Sequence, residues 1–124
     1  MIKIYEHQGK LPVWHLRGNE TNTMPGYSGI PVVIDAALKG FDNIDLEKVF
    51  EAAKVSATGD FEPGVKDLME RGYIPADFMV ESVASNMEYA IGDWGIAQLA
   101  KKLGMERDYE YFINRSKAYK QYFD

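Results

Sequence analysis

The sequence predicts an all-α chain of αα-hairpins, arranged as in a toroid whose inner helices line an axis and whose outer helices meet solvent. Three observations predict it. Residues 31–39 are nearly all apolar and are followed by an amphipathic stretch, 46–57. Residues 85–103 are again apolar and are again followed by an amphipathic stretch, 106–123. No alternating run of strand length occurs anywhere, and no exact internal repeat points to a regular solenoid.

Residues 2–7 read as the frayed end of a helix, broken by Gly9, Lys10 and Pro12. Leu11 to Leu16 (LPVWHL) is apolar and too short to classify by period. Residues 17–29 (RGNETNTMPGYSG) are too rich in Gly, Asn, Pro and hydroxyls for a helix. A loop of that length inside a compact domain is usually functional. Pro31 suits the first turn of a helix through Lys39, with Gly40 as its stop. Its almost unbroken Val, Ile, Ala and Leu predict burial.

Asp45 is a good N-cap for residues 46–57, whose stripe is Leu46, Val49, Phe50 and Ala53. Residues 65–71 form a short helix stopped by Gly72. The central stretch, 82–103, carries Val83, Met87, Ala90, Ile91, Trp94 and Ala97 on one stripe, widened by Ile96, Leu99, Ala100 and Leu103. Its helix is expected to start at Ser85, which with Glu88 spells a capping box, and to end at Gly104. The last helix is expected over 106–123, with Tyr109, Phe112, Ile113, Ser116, Tyr119 and Phe123 on one face.

The 124 residues fit one compact domain or a piece of a larger one. Net charge is −5 with no basic cluster, which disfavours a nucleic-acid or anionic-membrane partner. There is no cysteine, so disulfides and thiolate metal sites are excluded. No apolar run approaches the ~20 residues of a membrane span, and the N-terminus lacks the apolar core of a signal peptide.

Candidate functional residues fall in two places. Glu88, Tyr89, Asp93 and Trp94 crowd into an otherwise apolar helix, where a carboxylate is unfavourable unless paired or used. Glu88 is half of the capping box or faces a ligand. A hydrogen bond between Tyr89 and Asp93, one turn apart, is the structural alternative, and Trp94 reads as core before sugar platform. In the loop, Arg17, Asn19, Glu20, Asn22 and Tyr27 lie within eleven residues, after Trp14 and His15. Short polar side chains beside aromatics suit sugar hydroxyls and ring C–H faces. No nucleophile–base pair, phosphate loop or His/Cys metal motif is present.

The segments LPVWHLRGNETNTMPGYSGIPVVIDAALKG and SVASNMEYAIGDWGIAQLAKKLGMERDYEYFINRSKAYKQYFD resemble glycoside hydrolase family 92, the α-mannosidases. The resemblance follows GNET, GY, the DA-x-x-KG stretch, EYA-x-x-DW-x-IAQ and the closing DY-x-x-F-x-x-R series, in order over most of the chain. It implies exo-acting α-mannosidases of α-1,2 type, with calcium-dependent inverting hydrolysis on an (α/α)6 barrel. This chain would be a segment of that barrel, a partial toroid in one domain spanning 1–124, within a secreted or periplasmic parent. The resemblance places the acid and base carboxyls in motifs found outside this chain. Inversion needs both, roughly 6.5–9.5 Å apart, so the chain alone is expected to be inactive, with no catalytic residue and no metal or cofactor of its own.

By the same resemblance Trp14, Asn19, Glu20, Tyr27, Glu88, Tyr89, Asp93 and Trp94 would line or support a mannose pocket, with Gly18 and Thr21 beside them. Ser28, Asn86 and Gly92 depart from the family pattern, where His, Thr and Asp are usual. The alternative reading is a non-catalytic helical carbohydrate-binding or scaffold module. In either case a mannose-containing glycan is the implied ligand, no membrane or nucleic acid is implied, and exposed apolar helix faces are expected to drive homo-oligomerisation.

Overall fold

The computed structural model describes residues 1–123. Six α-helices follow in order: α1 (Ile2–Gln8), α2 (Gly29–Leu38), α3 (Leu46–Thr58), α4 (Val65–Arg71), α5 (Ser82–Lys102) and α6 (Glu106–Arg115), then a short 3-10 helix, Ala118–Tyr122. The chain is all-α, as the alternation of apolar and amphipathic stretches predicts. Helix α5 is the hub: it packs on α2, α3, α6 and the 3-10 helix, and α2 pairs with α3. The two hairpins α2/α3 and α5/α6 thus sit side by side with α2 against α5. The core between them holds Ile30, Ile34, Ala53, Ala57, Ile96, Leu99 and Phe112.

Local signals account for most boundaries. Asp45 caps α3, its carboxylate accepting from the Lys48 N–H at 3.0 Å. Helix α4 spans the expected residues and ends at Gly72. Among the described residues the one β-structure is a hairpin of two-residue strands, β1 (His15–Leu16) and β2 (Asn19–Glu20), in the register His15 to Glu20 and Leu16 to Asn19. Arg17 and Gly18 form its tip with φ of 52° and 82°. Positive φ at both tip residues defines a type I′ turn, whose twist matches that of the strands.

Three expectations for the later helices are corrected. Helix α5 starts at Ser82 with Glu81 at its N-cap, one turn before the expected start. Ser85 therefore lies inside the helix, fully buried, and its hydroxyl has no partner among the described residues; there is no capping box. The second correction is the face that α5 buries. Val83, Met87, Ile91 and Trp94 are exposed, while Ser82, Ser85, Asn86, Tyr89, Gly92, Asp93 and Ile96 are buried.

The reason for that face is steric. Small residues let neighbours approach: a Cβ on Gly95 would stand 3.3 Å from Ile34, and one on Gly92 only 2.4 Å from the Tyr27 ring. Hydrophobic periodicity reports which side chains leave water favourably, not which face meets a partner. Third, the last helix breaks at Arg115 and continues as the 3-10 turn. Tyr119 and Phe123 are exposed rather than lined up with buried Phe112.

Candidate functional site

The loop before α2 is clamped by Glu20. Its Oε2 accepts from the Val13 N–H at 2.7 Å, and its Oε1 accepts from Trp14 and Asn22 N–H groups at 2.9 Å each. Partial burial pushes the Glu20 carboxyl up, but these three N–H donors outweigh it and hold it below the ordinary glutamate value. Thr21 adds two bonds to the Trp14 carbonyl, from its N–H at 3.1 Å and its hydroxyl at 2.7 Å. The Trp14 backbone is fixed on both sides while its indole stays 48% exposed. Such an anchored, outward aromatic can lie against the apolar face of a sugar ring, and Asn19 and Asn22 beside it are exposed, with no side-chain hydrogen bond among the described residues.

This loop meets the start of α5. Gly26, with φ of +91°, lies so close to Glu88 that a Cβ there would sit 2.6 Å from the Glu88 Cβ; only glycine tolerates both the angle and the approach. The N-terminal ends of α2 and α5 therefore share one end of the segment, joined there by the turn after α3. They enclose a cavity of about 140 Å³ bordered by Asn22, Thr23, Glu62, Glu81, Ser85 and Tyr89. Glu62 is buried and paired with Lys10 at 2.5 Å. The Leu11 N–H bonds the Ser56 hydroxyl at 2.7 Å, tying the loop to α3 as well.

Beneath the loop lies a buried polar network. Arg115 grips Asp93 through Nε to Oδ2 at 2.6 Å and Nη2 to Oδ1 at 2.5 Å. Nη2 also donates to the Ala57 carbonyl at 2.9 Å, at the end of α3. The Tyr27 hydroxyl donates to Asp93 Oδ1 at 2.6 Å, and its ring stacks on Tyr89 at 4.5 Å. Burial pushes the Asp93 carboxyl above its ordinary value, opposed by Arg115 and the Tyr27 hydroxyl. Burial disfavours the Arg115 charge, yet its bonds to Asp93 more than offset this, so the guanidinium stays charged. Tyr27 is pushed far above the ordinary phenol value by burial and by the adjacent Asp93. Four elements are thereby held together: the loop, α3, α5 and α6.

Of the residues singled out from sequence, Tyr27, Tyr89 and Asp93 are brought together, but inside the protein. Asp93 pairs with Tyr27 and Arg115, and the Tyr89 hydroxyl donates instead to the Pro63 carbonyl at 2.8 Å. The Tyr89–Asp93 hydrogen bond, the structural alternative for this pair, is therefore replaced by longer-range partners. Trp14, Asn19 and Glu88 are on the surface at the loop end. Trp94 is 54% exposed on the outer stripe of α5, two turns away from Glu88 and not in the core.

Sequence reasoning missed Arg115, Lys10 and Glu62. The signal for Arg115 was available: a carboxylate in an apolar helix requires a cation, and Arg115 follows Phe112 by three residues on the inward face of α6. The described residues contain no group of three or more His, Asp or Glu able to hold a metal ion. With Glu20, Glu62 and Asp93 all engaged by the protein itself, they do not fit a calcium site.

Paired inner and outer helices carrying a clamped aromatic loop at one end have the architecture of a piece of a helical barrel. The chain belongs to glycosyl hydrolase family 92, whose catalytic-domain model matches residues 1–124. It is similar to a family 92 α-mannosidase of Bacteroides thetaiotaomicron solved in complex with mannoimidazole. That match has 40% identity and a TM-score of 0.94, and covers 100% of this chain and 17% of that one. A family 92 inverting mannosidase of the same organism matches 96% of this chain and 17% of its own, at 27% identity and a TM-score of 0.84. A secreted glycosidase of Arthroderma benhamiae is 30% identical over 99% of this chain and 18% of its own length. The chain thus spans under a fifth of the length of these relatives.

Proposed function

We propose that this chain is one segment of an (α/α)6 catalytic domain of an α-mannosidase, and that it supplies part of the substrate-binding wall rather than the reacting groups. The observation that carries the reading is the superposition, at a TM-score of 0.94 and 40% identity, on an α-mannosidase solved with mannoimidazole. The exposed Trp14, held by the Glu20 clamp, supports a role in contacting a mannose-containing glycan, with Asn19 and Glu88 at the same end. Tyr27, Tyr89 and Asp93 act behind that surface by fixing the loop to α5.

Calcium dependence, inversion and the α-1,2 preference belong to the complete domain in this reading. So does export, in keeping with the secreted relative. A pair of carboxyls flanking a glycosidic bond, with room for a water, is required for inversion. The purified 124-residue chain is therefore expected to leave 4-nitrophenyl α-mannoside and α-1,2-mannobiose intact, with or without calcium. Binding of mannobiose, followed by quenching of tryptophan fluorescence, should weaken in Trp14→Ala. Calcium-dependent release of mannose by this chain would refute the division of labour.

A further inference from the structure

We propose that the cavity between the loop and α5 is a subsite for the exocyclic hydroxymethyl group of a hexose, with Glu62 and Ser85 as its specificity-determining residues. This rests on the reading that the loop contacts a mannose-containing glycan, and it names the part of the sugar that is recognised.

The cavity, of about 140 Å³, lies between residues 22–26 of the loop, Glu62 and Pro63 of the turn after α3, and the start of α5. Its polar groups are buried by this chain itself: the Glu62 side chain is 3% exposed and Ser85 0%. Completing the domain around the segment can only add to that burial. Yet hydrogen-bonding capacity is left open. Lys10 donates to Glu62 Oε1 at 2.5 Å, while Oε2 accepts no hydrogen bond among the described residues. The Ser85 hydroxyl has no partner among them either. A buried hydroxyl without a partner is unfavourable, so a ligand that supplies one recovers that loss on binding. The walls are fixed beforehand, because the Tyr89 hydroxyl donates to the Pro63 carbonyl at 2.8 Å and Lys10 holds Glu62.

Charge and size select the ligand group. Lys10 neutralises Glu62, so a cation finds no uncompensated buried charge, and Glu62 with the exposed Glu81 disfavours an anion. A neutral hydroxyl fits both open positions: it donates to Glu62 Oε2 and accepts from Ser85 Oγ. Pockets for whole ligands begin at ~300 Å³, about twice this volume, so a substituent enters and not a ring. On a hexopyranose the hydroxymethyl group is the one that carries its hydroxyl a carbon away from the ring. Met24, Pro25 and Met79 give its methylene an apolar wall. The Trp14 and Asn22 N–H groups both donate to Glu20 Oε1, at 2.9 Å each. That tether puts the indole offered to the ring and the cavity offered to the arm on one clamped loop.

The test compares methyl α-mannoside with methyl 6-deoxy-α-mannoside, which keeps the ring and C6 but lacks the hydroxyl. Affinities are read from tryptophan quenching in the 124-residue chain, with urea unfolding as the control for folding. Wild type should bind the mannoside about three- to tenfold more tightly, the worth of a neutral hydrogen bond. Ser85→Ala should weaken the mannoside about threefold, leave the 6-deoxy sugar unaffected and not lower the urea midpoint. Equal binding of the two sugars by wild type, or equal weakening of both in Ser85→Ala, would overturn the subsite and leave glycan contact at Trp14 in place. If neither sugar bound and mannobiose quenching were the same in Trp14→Ala, the underlying reading would fall and the subsite with it.

Discussion

Replacing Arg115 by Met tests the buried network most directly. The substitution keeps a long side chain but removes both contacts to Asp93 and the bond to the Ala57 carbonyl. Asp93 is fully buried, and among the described residues Tyr27 would remain as its one side-chain partner. Removing one member of a buried ion pair destabilises by about 3–5 kcal/mol, because the other charge stays buried without compensation. A chain of this length has a total stability of roughly 6–19 kcal/mol at ~0.05–0.15 kcal/mol per residue, so the loss is a large fraction of the whole.

Urea unfolding followed by circular dichroism measures that loss. The variant also carries a pH signature. Without Arg115 the Tyr27 hydroxyl alone opposes burial, and the Asp93 carboxyl rises further. A raised carboxyl makes the native state hold its proton more tightly than the unfolded chain does. Stability is then lost as pH rises toward the folded value and regained on acidification. The defect should therefore be larger at pH 7 than at pH 5. Asp93→Leu combined with Arg115→Met should recover much of it, since an apolar pair of similar volume leaves no buried charge. A single-variant loss below about 1 kcal/mol, or one that does not vary with pH, would contradict the description of Asp93 and Arg115 as a desolvated pair.

Three further outcomes are expected. Gly92→Ala should destabilise by about 1–3 kcal/mol because its Cβ would stand 2.4 Å from the Tyr27 ring, whereas an open helical site would gain from the change; a rise in the urea midpoint would refute that contact. Ser85→Ala should be neutral or stabilising, since the hydroxyl is buried without a partner, while Asp45→Ala should lose about 0.5–2 kcal/mol of capping; an equal loss at Ser85 would restore it as a cap. The Glu20 carboxyl is held below its ordinary value, so its contribution is complete above pH ~4.5 and is lost as pH falls through the lower folded value. Trp14 fluorescence in a Trp94→Phe background should report that loosening, and Glu20→Gln, which has no carboxyl to protonate, should abolish the transition.

The residues themselves settle the helical class, the stop at Gly72 and the Asp45 cap, because each depends on a few neighbours in sequence. Glycine past a helix end and a carboxylate before its first turn act locally, and no distant contact overrides them here. The quoted motifs likewise carry the family, since GNET, EYA and IAQ stand in order along the chain. The serine at position 85 shows where local reading stops. Ser85 and Glu88 have the spacing of a capping box, yet Met79 and Glu81 already start α5 through their carbonyls, which accept from the Ser82 and Ser85 N–H groups.

Only the tertiary structure decided which face of α5 is buried. An apolar stripe and a small-residue stripe compete for the same neighbours, and close approach of Ile34 and Tyr27 to Gly95 and Gly92 favours the small one. That choice places Asp93 beside Arg115 from 22 positions away and leaves Trp94 in solvent. The sequence thus determined what each segment is, because helix formation and its punctuation are local. The structure determined what each segment touches, because packing joins residues whose separation along the chain carries no signal of their contact.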